Sequence, residues 1–273
     1  MRFGAPHRHF AVTESTNDVA RELAAGGAPG GTVVTAAEQT AGRGRRGRAW
    51  NAPAGKALLY SAILRPLDER HLLLPLAVPL AVCDTAESLV DVECRIKWPN
   101  DVWVEERKLA GSLIEARPQD GWAVIGVGLN VSIEPHEFPP DLRHPATSLS
   151  DHASGGTDGA GSGALYARYT SKRNTGTSEG AQLPYPAAVA GARVALNASL
   201  SHWVSADRDE ILAAYRARDA LRGRKISWEG GGACGSGAGQ GVADGIDEKG
   251  DLMVVVPGDD RVALGAGEVS LRL

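Results

Sequence analysis

Val92-Glu93-Cys94-Arg95-Ile96-Lys97-Trp98-Pro99-Asn100-Asp101-Val102-Trp103-Val104-Glu105-Glu106-Arg107-Lys108-Leu109-Ala110-Gly111-Ser112-Leu113-Ile114-Glu115-Ala116 decides the fold. Val92–Trp98 reads as a strand, Pro99-Asn100-Asp101 has turn chemistry, and Val102–Val104 is the next strand. Glu105-Glu106-Arg107-Lys108 forms a hairpin, from which Leu109–Ala116 returns. Hairpins in succession build antiparallel sheet. Trp122–Val131 adds an apolar strand interrupted by Gly126 and Gly128, and glycines inside a strand mark close approach by a ligand or another backbone.

Working outward, the expected class is α+β, with a mixed, largely antiparallel sheet and helices on one side. Phe10–Val12, Thr32–Ala37 and Leu58–Leu64 are further strands. Glu14-Ser15-Thr16-Asn17-Asp18 opens a helix on which Val19, Ala20, Leu23 and Ala24 recur at helical spacing, with Ser15 or Thr16 able to cap it. Leu72–Leu89 reads as a helix buried on one side. Pro75 fits its first turn, but Pro79 would be interior at a cost of roughly 3 kcal/mol, so the helix starts late or kinks. Residues 151–185, rich in Gly, Ser, Thr and Ala, read as a low-complexity insertion. Apolar residues at helical spacing follow, and Asp207 caps a helix whose buried face is Ile211, Leu212 and Tyr215. The texture then changes to short strands and Gly-rich turns. The expected division is a domain over 1–221 and a small β-barrel over 222–273.

The chemistry concentrates in Gly42-Arg43-Gly44-Arg45-Arg46-Gly47-Arg48-Ala49-Trp50. Its glycines permit left-handed backbone, and its arginines carry fixed charge in forks that match carboxylate and phosphate oxygens. So many like charges repel unless an anion lies among them. Trp50 adds a face on which a base can stack. The chain as a whole has a net charge of −4, which disfavours coating nucleic acid and favours a small anionic ligand. Cys83, Cys94 and Cys234 form no paired framework and read as reduced thiols of a cytoplasmic protein. Met1–Phe10 lacks an apolar signal core, and the apolar run Leu72–Cys83 is too short to span a bilayer.

Five motifs together resemble the biotin protein ligases. They are Glu14-Ser15-Thr16-Asn17, Gln39 ahead of the arginine loop, Lys97-Trp98-Pro99-Asn100-Asp101, Arg107-Lys108-Leu109-Ala110-Gly111, and Gly126-Val127-Gly128-Leu129-Asn130. The resemblance is strong over 10–150, weaker over 186–221, and resumes in the last fifty residues, which look like the family's SH3-like domain. No helix-turn-helix segment precedes the first motif, so the single-function ligases are the nearer pattern and no DNA-binding role is expected.

The resemblance implies activation of biotin by MgATP to biotinyl-5′-AMP, then transfer to one lysine of a biotin carrier domain of an acetyl-CoA or acyl-CoA carboxylase. It implies a biotin site of Ser15, Thr16, Asn17, Gln39, Gly42, Arg43, Gly44, Arg45, Lys108, Gly111 and Gly128. It implies an ATP site of Arg45, Arg46, Arg48, Trp50, Lys97, Asn100, Asp101 and Asn130, with Trp50, Asn100 and Asn130 around adenine. Lys108, Arg43, Arg45 and Asp101 would be catalytic, and Mg²⁺ would arrive with ATP near Asp101 rather than in a site fixed by protein alone. A homodimer through an exposed sheet edge is compatible with the pattern. Two rivals are a lipoate or octanoate ligase or transferase of related fold, and a nucleic-acid binder using the arginine loop. Each residue also has a plain structural reading: Lys97 and Lys108 suit sheet edges, and Asn100-Asp101 suits a turn. The motifs outweigh these readings only jointly.

Overall fold

The computed structural model describes residues 1–153, 186–229, 237–265 and 268–271. The expected insertion lies outside these residues except for its first three positions, as does most of the Gly-rich stretch at 230–239. A seven-stranded sheet has the order β1-β2-β3-β7-β6-β5-β4. Its strands are β1 (His7–Thr13), β2 (Val33–Gln39), β3 (Ala57–Leu64), β4 (Arg95–Lys97), β5 (Asp101–Val104), β6 (Arg107–Arg117) and β7 (Trp122–Asn130). Only β1 and β2 pair in parallel. The successive hairpins therefore produce the expected antiparallel sheet.

The helices are not on one side. On β3, Leu58, Tyr60, Ala62 and Leu64 face a core shared with α2 (Leu74–Leu89), α3 (Ala187–Trp203) and α4 (Arg208–Arg218). Ile63 faces the other way, with Val34, Trp122 and Val124, and seats α1 (Thr16–Ala25) through Ala20 and Ala24. Apolar spacing shows that α1 packs but does not say on which face of the sheet. Strand period two then explains the functional face. Along β7 the α1 side reads Trp122, Val124, Gly126, Gly128: two large residues seat the helix, and the two glycines make room for the side chains of Asn17 and Trp50. The helix α2 starts at Leu74 and runs through Pro79, where twelve of its residues are buried. That packing offsets the missing hydrogen bond.

The C-terminal strands correct a second expectation. β8 (Lys225–Glu229), β9 (Gly239–Ile246), β10 (Leu252–Val255), β11 (Arg261–Leu264) and β12 (Glu268–Leu271) form an open antiparallel sheet of order β11-β10-β9-β8-β12. It is not closed into a barrel: β11 and β12, consecutive in sequence, lie at opposite edges. Short strands and regular turns predict antiparallel pairing, but closure depends on whether the edges meet. The Asp247–Gly250 turn is as expected, with Asp247 Oδ1 accepting from the amides of Lys249 and Asp251. The indole of Trp98 donates to the carbonyl of Gly250 at 3.0 Å, tying this turn to the end of β4. Among the described residues no helix is long and apolar enough to cross a membrane.

Candidate active site

The cavity on the α1 side of the sheet is polar at its closed end. Ser15 is the N-cap residue of α1 but its side chain makes no capping bond. Instead, the Thr16 amide and hydroxyl both donate to Gln39 Oε1, at 2.7 and 3.0 Å. The Ser61 hydroxyl lies 2.8 Å from Thr16 Oγ1 and 2.6 Å from Asn17 Oδ1. Asn17 Nδ2 donates to Glu115 Oε2 at 2.8 Å. Ser15, Thr16, Asn17 and Ser61 are all buried. A buried polar cluster bonded in this way holds one arrangement.

The arginine loop folds back on itself. Arg43 and Ala49 form an antiparallel bridge, Trp50 N donates to Gly42 O at 2.8 Å, and Gly44 N to Arg48 O at 2.7 Å. Left-handed backbone falls at Arg46 (φ 57°) and Gly47 (φ 72°). Gly42 is needed for another reason: a Cβ there would run into the carbonyl of Trp50. The anions the loop requires are partly internal. Arg43 Nη2 lies 2.7 Å from Asp18 Oδ1 and 3.2 Å from Glu115 Oε2, and Arg21 bonds both carboxylates too. Arg45 donates to Asn100 Oδ1 at 3.3 Å, and Arg46 to the carbonyl of Glu229 at 3.2 Å.

At the open end Lys108 Nζ sits 2.8 Å from Asp101 Oδ1 and 5.6 Å from the centre of the Trp50 ring. That ring lies on Gly111 and Gly128, which pair across β6 and β7. Its buried Nε1 has no hydrogen-bond partner among the described residues. Asn100 Nδ2 donates to the carbonyl of Ser112, holding the turn before β5. Lys97 is buried, with its ammonium 2.9 Å from His144 Nε2 and 5.2 Å from the Trp103 ring. Burial, then the Lys97 charge, holds the His144 pKa down at about 4.

Of the residues expected from the sequence, Ser15, Thr16, Asn17, Gln39, Arg43, Gly44, Arg45, Arg46, Arg48, Trp50, Lys97, Asn100, Asp101, Lys108, Gly111 and Gly128 line this one cavity. Gly42 stands behind it, at the neck of the loop. Asn130 is outside the lining as well: its amide donates to Thr147 O at 2.9 Å. Sequence reading missed Ser61, Glu115 and His144 as members of the site and treated Asp18 only as part of the segment that opens the helix. Glu115 was findable, since Gly111, Leu113 and Glu115 alternate onto one face of β6. Among the described residues no three His, Cys, Asp or Glu side chains cluster to hold a metal.

The chain matches the biotin/lipoate A/B protein ligase family over residues 9–132. It is 40% identical to the bifunctional ligase/repressor BirA of Bacillus subtilis over 156 residues, which are 55% of this chain and 48% of that protein. The chain thus spans about half the length of the Bacillus relative. With the biotin–[acetyl-CoA-carboxylase] ligase of Mycobacterium tuberculosis it shares 36% identity over 267 residues, 95% of this chain and 86% of the other. In fold it resembles the biotin protein ligase of Aquifex aeolicus in complex with biotin and ATP, with a TM-score of 0.71 at 24% identity, covering 98% of this chain and 99% of that one. Polar pocket, cation-lined mouth and near full-length relationship agree: the chain belongs to the biotin protein ligase family.

Proposed function

We propose that this protein joins biotin to ATP, forming biotinyl-5′-AMP and pyrophosphate, and then transfers biotin to one lysine of a carboxylase's biotin carrier domain. The observation that carries the reading is the polarity of the cavity. At one end is a buried hydroxyl and amide cluster suited to a cyclic urea; at the other, Arg45, Lys97 and Lys108 suit a carboxylate and a polyphosphate, with Arg43 beside Asn17 on Asp18 and Glu115.

In this reading Ser15, Thr16, Asn17 and Gln39 hold the ureido ring, and Gly111 and Gly128 allow close approach once the Trp50 ring moves off them. The first step brings a carboxylate against the α-phosphate. Two unit charges 4 Å apart repel by about 4 kcal/mol at an effective dielectric of about 20. Fixed cations that remove this repulsion matter more than an acid or base. Lys108 bridges the carboxylate and the α-phosphate in this reading, once a ligand competes with Asp101 for it. Arg43 and Arg45 close over the same atoms, while Lys97, Arg48 and Asp101 face the triphosphate. Trp50 and Asn100 receive the adenine. Magnesium enters as part of the nucleotide, because such ions are held by one or two carboxylates together with substrate phosphates. A mixed anhydride hydrolyses when wetted, so loop closure also protects the product.

The test is incubation with biotin, MgATP and a biotin carrier domain, followed by intact mass. A single added biotinyl mass is expected. No addition with biotin, but addition of a lipoyl or octanoyl group when those acids are supplied, would replace this reading with the related transferase.

A further inference from the structure

We propose that His144 is a positioning residue for the ammonium of Lys97, aiming it at the polyphosphate end of the cavity. This rests on the function proposed above. Lys97 is 6% exposed, and a buried ammonium needs acceptors. Lysine can only donate, so the 2.9 Å contact makes His144 Nε2 the acceptor and puts the imidazole proton on Nδ1. The His144 ring also packs against Trp103 at 5.4 Å, and the ammonium lies over that same indole.

The acceptor on Lys97 given by this contact is neutral. Asp101 is the cross-strand partner of Lys97, and its carboxylate already holds Lys108 at 2.8 Å. An uncharged imidazole orients the ammonium without adding a negative charge of its own. The depressed His144 pKa agrees, since the ring stays neutral at ordinary pH. The groups acting on that ring are Lys97, Asp101, Lys108 and Arg143.

The segment carrying His144 is fixed in place by the other site lysine. Lys108 N donates to Pro145 O at 2.7 Å, Thr147 N donates to Lys108 O at 3.0 Å, and Lys108 bridges Ala146. One loop therefore sets the backbone of Lys108 and the side chain of Lys97.

The experiment compares His144→Gln, which keeps an acceptor, with His144→Phe, which keeps the ring against Trp103 but has no lone pair. Affinity for the magnesium complex of α,β-methylene ATP is measured by calorimetry with and without biotin, alongside affinity for biotin alone. His144→Phe is expected to bind the nucleotide about tenfold more weakly, His144→Gln within about threefold of the parent, and both to bind biotin normally. In turnover the loss in His144→Phe should appear in KM for ATP more than in kcat. Equal nucleotide affinity in parent and His144→Phe overturns the inference. So does a loss of biotin affinity matching the loss of nucleotide affinity, which would mean general distortion. A parent that binds the nucleotide but never activates biotin overturns the proposed function instead, and the comparison of variants still stands.

Discussion

The side chain of Asn17, on the first turn of α1, fills the space that a Cβ at Gly126 would need: such an atom would approach the Asn17 amide nitrogen and Cγ to 2.9 Å and its oxygen still more closely. The same amide bonds Ser61 and Glu115, so Gly126 underlies the closed end of the pocket. Gly126→Ala should displace Asn17. Overpacking of this kind costs about 1–3 kcal/mol. Thermal unfolding and biotin calorimetry should both register it, with biotin affinity down roughly tenfold or more. Undiminished biotin binding in a folded Gly126→Ala protein would dissociate this cluster from the ligand.

Lys108 makes a different prediction. Its ion pair with Asp101 is partly exposed, and such pairs contribute about 0–1 kcal/mol to stability. Lys108→Ala should therefore unfold near the parent temperature. Biotin-dependent pyrophosphate release should nevertheless fall by roughly a hundredfold or more, the cost of losing one preorganised donor. If release is nearly normal, another cation neutralises the reacting carboxylate and phosphate.

These residues show what a sequence displays and what it hides. The close approach at Gly126 and Gly128 was legible because β7 places both on one face by strict alternation, though what approaches is the side chains of Asn17 and Trp50. Lys97, Asp101 and Lys108 were legible through the motifs they share with the ligases; that Asp101 stands opposite Lys97 was not, because Pro99-Asn100-Asp101 reads as a turn while Asp101 opens β5. The face on which α1 packs was not, because an apolar stripe names no partner. Closure of the C-terminal strands was not, because it depends on contact between edges far apart in the sheet. His144 was hidden most completely. It lies in an irregular segment with no period, and its contact with Lys97 spans 47 positions.

Asp18 and Glu115 hold Arg43 before any ligand is present, so the arginine loop should be anchored at one end in the free protein. Replacing both, as Asp18→Asn with Glu115→Gln, removes four partly exposed ion pairs, two to Arg43 and two to Arg21, of about 1 kcal/mol or less each. Trypsin should then cut within residues 42–48 up to about tenfold faster than in the parent, since local opening governs such cleavage. Biotin with MgATP should slow cutting in both proteins by supplying external anions. Identical cleavage rates in the free parent and free double variant would show that these carboxylates do not restrain the loop.

The pH dependence of stability follows from the two depressed histidines of this region. His144 is held at about 4, mainly by burial and then by Lys97; His152 is lowered as well, by burial and then by Arg107. Each binds its proton less readily folded than unfolded. Between about pH 6.5 and pH 4 the unfolded chain therefore holds more protons, and stability falls as pH falls. The contribution is complete above about 6.5 and lost progressively toward 4. Both side chains are part-exposed, so the effect on melting is modest, roughly 2 °C or more for a chain of this size. His144→Gln removes one titrating group while keeping an acceptor for Lys97. Its melting temperature should drop less than the parent's between pH 7 and pH 4.5. A parallel or steeper drop in the variant would mean that His144 is not neutral in the folded protein, and that the hydrogen bond to Lys97 has another form.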